Sequence, residues 1–189
     1  ESLITASTHY ITNKIMFDDA FSSWLIYKDD FFEQVKNSLY LGIFNSYRDR
    51  QITKKHTSVN NGKYRVLKSR NIASNSIVDI DNYDSYIDDI SSFSIRRFLN
   101  TKSVVVPNLT YNPRACFLPQ NCIADGSVAI LQAKNGYIIT EDDLAYFASD
   151  EFKRFYMIGR NFGSRSLNID SNSVNLWGIK KERHSHEHK

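Results

Sequence analysis

Few side chains in this sequence have both the chemistry and the spacing to act on a substrate. Asp125, Gln132 and Lys134 fit a loose acid…(Glu/Gln)-x-Lys pattern. In such a pattern an acid and a Glu or Gln on adjacent strands hold a divalent metal, and the lysine positions the attacking water. The pattern is short and Gln is the weaker ligand, so a metal-dependent nuclease is carried forward only as an alternative. Asp79, Asp81 and Asp84 resemble a calcium loop in their acids alone, because Asp84 stands where that loop needs Gly and no Glu closes it. Cys116 and Cys122 lie six apart with no second pair, too few for a disulfide framework or a zinc site. His9 and His56 have no evident Ser or Cys partner, and His184, His186 and His188 sit in a polar tail. The expectation is a chain with no catalytic residue, no metal and no cofactor of its own.

Asn112-Pro113-Arg114, preceded by Tyr111, raises a different chemistry. Asn-Pro followed by Pro and an aromatic ring makes a loop that grips a base flipped out of DNA. Here the second proline and the closing ring are missing. Glycine is thinly spread, 7 in 189 residues, and no Gly-rich turn is placed to hold a methionine-derived cofactor. The tetrapeptide therefore reads as a turn between two strands.

Charge is the more informative signal. The net charge is only +3, yet eight Lys or Arg fall between Tyr47 and Arg70 against one acid, Asp49. Five Asp and no base fall between Asp79 and Asp89. A chain divided in this way is expected to carry one face of strong positive potential, which suits a polyanion. The bases are interleaved with Tyr47, Tyr64, Asn60, Asn61, Ser69 and Asn71, which can hydrogen-bond phosphates and base edges. Gly62 sits at a turn whose tip is expected to enter a groove.

The elements that must position these residues follow from pattern. Asp29 to Ser46 reads as one helix, with Phe31, Phe32, Val35, Leu39 and Ile43 on one face and acids at its N-terminus. Strands are expected at KYRVLK, SNSIVDID, SVVVPNL, RACFLP and GSVAILQAK. Two helices are expected after Thr140 and Ser149, both N-cap residue types. A short helix is expected to end near Arg96 and Arg97, and the stretch from Ser164 to Ile179 to be extended. The order predicts an α+β domain, a mainly antiparallel twisted sheet flanked by helices. The expected division is 1–46 as an N-terminal segment packing on the domain, 47–180 as the domain, and 181–189 as a disordered polar tail. No apolar run is long enough to span a bilayer and no secretory leader opens the chain, so a cytoplasmic fragment of a longer protein is expected, since Glu1 replaces an initiator Met.

Three stretches together resemble a known family. GKYRVLKSRNI (62–72), the run from Val104 to Lys134, and the run from Leu144 to Ile179 are similar, in order, to target recognition domains of restriction-modification adenine-N6 DNA methyltransferases. Related domains occur in type I specificity subunits. The resemblance covers roughly residues 60 to 180. It implies double-stranded DNA as the partner, a catalytic domain N-terminal to this chain, and S-adenosylmethionine bound there. A specificity subunit of a type I restriction enzyme is the alternative parent. On this reading the base-reading candidates are the loop from Tyr47 to Lys63, with Arg48, Arg50, Lys54, Lys55, Asn60, Asn61 and Lys63, together with Arg65 and Arg70, and Lys68 is a further DNA-binding candidate. The backbone-clamping candidates are Arg96, Arg97, Arg114 and the bases near Lys153.

Overall fold

A computed structural model of the chain describes residues 17–21, 23–59, 61–134, 136–162 and 167–184. The strands used below are β1 (Phe44–Arg48), β2 (Tyr64–Leu67), β3 (Ser85–Ile87), β4 (Val104–Pro107), β5 (Cys116–Phe117), β6 (Cys122–Ala124) and β7 (Val128–Ala133). The helices are α1 (Asp30–Ser38), α2 (Glu141–Phe147), α3 (Asp150–Gly159) and α4 (Lys181–His184). The protein is α+β, as its pattern predicts.

Two apolar runs decide the architecture. A strand wet on one face alternates apolar and polar residues, whereas Val104-Val105-Val106 and Val128-Ala129-Ile130-Leu131 are apolar at successive positions and fully buried. Such strands need cover on both faces. They pair antiparallel at the centre of a four-stranded sheet of order β5-β4-β7-β1. Alternate residues then enter different cores. Val104, Val106, Ala129 and Leu131 face a cluster built with Phe32, Phe147, Phe152, Phe155, Tyr156 and Trp177. Val105, Val128 and Ile130 face a second cluster with Val66, Leu67, Ile95, Phe98 and Ile123. The second cluster is capped by a three-stranded sheet of order β6-β2-β3, in which β6 and β2 run parallel and β2 and β3 antiparallel.

The helix caps are those the sequence predicts. Asp29 Oδ1 accepts from Phe32 N at 2.8 Å, Thr140 Oγ1 from Asp143 N at 3.4 Å and Ser149 Oγ from Phe152 N at 3.1 Å. The helix expected over 29–46 is shorter than predicted, ending at Ser38. Leu39–Tyr40 pairs instead with Ile179–Lys180, and Gly42 turns the chain with a φ of 66° so that Phe44 enters β1. Pairing with β7 takes residues that helical periodicity alone assigned to α1. The boundary expected between residues 46 and 47 thus falls inside the edge strand β1, and α1 belongs to the main core, Phe32 stacking on Phe155 at 4.6 Å.

The chain's end also departs from expectation. Lys181–His184 is helical, and His184 Nε2 lies 3.1 Å from an oxygen of the fully buried Asp143. Asp143 also accepts from Thr140 N and Oγ1, both at 2.9 Å. A tail with that docking point is ordered through His184. His186 and His188, like His9, lie outside the described residues. No helix of the described residues is long and apolar enough to cross a membrane.

Candidate nucleic-acid interface

Strand register gathers the basic loop with two others. Arg48 pairs with Ala129, and Val128 with Pro107, so the ends of β1, β7 and β4 are level. At about 4.8 Å between strands, these three ends span roughly 10 Å. Residues 49–53, the 125–127 turn and residues 108–114 leave the sheet there. They are fastened to one another. A Cβ on Gly126 would lie 2.7 Å from the Asp49 carbonyl oxygen, so only glycine lets the turn approach so closely. Asn108 N donates to Ser127 O at 2.9 Å, and Ser69 N to Ser127 Oγ at 3.0 Å, which brings the Ser69–Asn71 turn to the same end.

Asp49, the single acid of the basic run, anchors the first loop. It is buried, and its Oδ2 accepts from Gln51 N at 2.9 Å and Ile52 N at 2.7 Å while Oδ1 accepts from Tyr47 Oη at 3.3 Å. Those bonds close a tight turn and leave Arg48 and Arg50 exposed. Burial, then the Asp49 charge, raises the Tyr47 phenol above its ordinary pKa. Beyond the turn, Thr53 N donates to His56 Nδ1 at 3.1 Å, folding a short 3-10 turn that presents Lys54 and Lys55. The loop is also tied to the 3-10 turn Ser94–Phe98, since Gln51 Oε1 accepts from Ser94 N at 2.8 Å and His56 meets the Phe93 ring at 5.1 Å. On that second turn the Arg97 guanidinium lies 4.7 Å from the rings of Tyr47 and Phe98, and Arg96 donates to Ser91 O at 2.8 Å. Arg48, Arg50, Lys54, Lys55, Arg96 and Arg97 are all exposed and form no ion pair with a described residue.

Of the remaining predicted bases, Arg65, Lys68 and Arg114 are engaged within the protein, while Lys63 and Arg70 are exposed beside tyrosine rings. Arg65 donates to Asp79 at 2.5 Å, to Asp84 at 2.7 Å and to Val78 O at 3.0 Å, with its side chain largely covered. It is a structural tie rather than a base-reading arginine. Asn71, fully buried, donates to the same Asp84 at 2.6 Å. Lys68 donates to Tyr83 O and lies 4.3 Å from that ring, and the exposed Arg70 lies 4.8 Å from the same ring. Lys63 is exposed, with its Nζ 5.2 Å from the Tyr64 ring. The acidic stretch 79–89 therefore folds against the C-terminal half of the basic run, and the divided charge of the sequence is partly neutralised in space. Asn61 is exposed, and Asn60 lies outside the described residues.

Two other expectations are corrected. Gly62 is not a projecting tip, because a Cβ there would lie 2.8 Å from Tyr86 Cβ and Ser58 pairs with Tyr86 through two backbone bonds. Arg114 is not a clamp, because its half-buried guanidinium donates to Ile72 O at 2.6 Å, Thr110 Oγ1 at 2.8 Å and Ser69 O at 3.2 Å. Burial lowers its pKa from the ordinary arginine value, which is high enough that it stays charged. Lys153 donates to Asn112 Oδ1 at 2.5 Å.

The metal triad of the nuclease alternative does not converge. Asp125 closes the turn before β7, accepting from Ser127 N and Oγ, while Gln132 lies four residues along that strand from Val128. Four residues of strand are roughly 13 Å. Lys134 turns away to Gly42 O at 2.5 Å. Among the described residues no group of three or more His, Cys, Asp or Glu is gathered to hold a metal. No known family model and no curated protein matches the chain.

Proposed function

We propose that this chain binds double-stranded DNA as the target recognition domain of a bacterial, cytoplasmic, restriction-modification adenine-N6 DNA methyltransferase. The observation that carries the reading is the group Arg50, Lys54, Lys55, Arg96 and Arg97 on two turns tied to each other at one end of the sheet, with Arg48 at the end of β1 beside them, all exposed and without ion pairs among the described residues. An anchored set of that kind can contact phosphates for register, and Arg is the residue that pairs bidentately with guanine in the major groove. The roughly 10 Å spread of the three strand ends compares with a major groove about 12 Å wide. Methyl transfer belongs to a catalytic domain outside this chain, which would bind S-adenosylmethionine.

Fluorescence anisotropy with a short labelled duplex tests the binding. The logarithm of affinity should fall linearly with the logarithm of salt, by about 0.9 per phosphate neutralised. Replacing Arg48 and Arg50 together by Ala should lower that slope by roughly two. Affinity that is absent, insensitive to salt, or unchanged in the double variant sinks the reading. Selection from a random duplex pool tests sequence preference, and failure to enrich any motif rules out specific recognition. The methyltransferase assignment fails if the full-length protein transfers no labelled methyl group from S-adenosylmethionine to adenine in duplex DNA.

A further inference from the structure

The loop 108–114 carries a feature that the basic patch does not explain. Tyr111 is 68% exposed and its neighbour Leu109 is 59% exposed, yet the backbone that displays them is tightly held. Leu109–Thr110 pairs with Leu167–Asn168. Thr110 Oγ1 accepts from Asn112 N at 3.2 Å and from Arg114 at 2.8 Å, and donates to Asn112 O at 2.7 Å. Lys153 grips Asn112 from α3, and Pro113 beyond it is buried. Tyr111 is thus an exposed ring on a backbone that hydrogen bonds hold in place.

The loop also has a fixed place relative to the cations. It leaves the sheet level with Arg48, two strands away, and Arg114 links it to the Ser69 carbonyl beside Arg70. An aromatic ring beside a cationic groove is the pairing by which proteins hold bases outside the stack, the cations following the backbone and the ring covering a base face. Resting on the DNA-binding reading above, we infer that Tyr111 is a stacking residue for a nucleobase displaced from the double helix. It specifies no sequence, because every base has a π-face.

A duplex with a single bulged 2-aminopurine presents such a base without any particular recognition sequence, and the same duplex without the bulge is the reference. The chain should prefer the bulged duplex roughly tenfold, in the range of one base–aromatic stack. The probe's fluorescence should change on binding. Tyr111→Ala should erase both the preference and the change while leaving the salt dependence and melting temperature unaltered. Tyr111→Phe should keep them. Equal binding of the two duplexes by the unmutated chain, or a preference that survives Tyr111→Ala, overturns the inference and leaves the cationic site standing. Binding to neither duplex overturns the site reading and this inference together.

Discussion

The two faces of the central sheet are packed in different ways, and the difference separates an aromatic core from an aliphatic one. On the helical face, rings meet rings: Phe152 and Trp177 touch each other and both Phe147 and Tyr156, at centroid distances between 4.8 and 5.8 Å. Two ion pairs lie beside that layer, Lys36 with buried Asp18 at 2.6 Å and Arg160 with Asp170 at 2.7 Å. The opposite face packs on a smaller and mostly aliphatic cluster, and the cations above it divide into two sets. Arg65 is locked by carboxylates, while Arg50 and Arg97 have none among the described residues; Arg48, opposite Ala129, lies on the helical side of β1. Both faces hold the fold, the first through packed rings and the second through aliphatic packing with Arg50 and Arg97 left exposed beside it.

The strongest challenge to that division is Phe152→Ala. Removing a fully buried ring from the aromatic cluster should destabilise the protein by about 3–5 kcal/mol, read as a shift in the denaturant midpoint. A cost under 1 kcal/mol would show that the aromatic layer is not the main support.

Arg65→Ala sharpens the boundary between locked and free cations. It leaves the mostly covered Asp84 without its charged partner and should cost about 3 kcal/mol of stability, whereas Arg97→Ala should barely change stability and should weaken DNA binding. Unchanged stability with lost affinity in Arg65→Ala would move Arg65 into the binding set.

The smallest effect is acid sensitivity on the helical face. Burial pushes the Asp18 carboxyl up, but the Lys36 hydrogen bond and the Lys36 and Lys28 charges outweigh it and hold the group below its ordinary value. A carboxylate depressed in the folded state adds stability that is present above its unfolded pKa of about 4 and is lost as pH falls through the folded value. Asp18→Asn should therefore lower stability at neutral pH and flatten its decline below about pH 4. An acid limb identical to that of the parent would assign the sensitivity to another group.

Much of the fold was legible because its signals are local. The caps at Asp29, Thr140 and Ser149 and the buried strands β4 and β7 are written in contiguous residues. The turns were harder to read, because Asn75, Asn82, Asn100, Asn121 and Asn161 take the left-handed backbone that a search for Gly and Pro would miss. α1 was overextended because the pairing of Leu39–Tyr40 with Ile179–Lys180 is a contact across most of the chain. The cationic run was plain in the sequence, but which of its members stay free was not. Arg65 meets Asp79 and Asp84 from 14 and 19 residues away, and local composition cannot show that those acids fold back on it. Asp49 was visible as an exception in the run, and its role as an anchor follows only from the three donors around it.

The close approach of Gly126 to the Asp49 carbonyl makes one joint of two segments far apart in the chain. Arg48, Arg50, Lys54 and Lys55 can then vary in identity while Gly126, Asp49 and the Thr53–His56 turn hold their place. A graft that exchanged only those positions for foreign ones would inherit the same mounting. The exposed side chains of this end can change without rebuilding its scaffold, provided the glycine under the loop is kept.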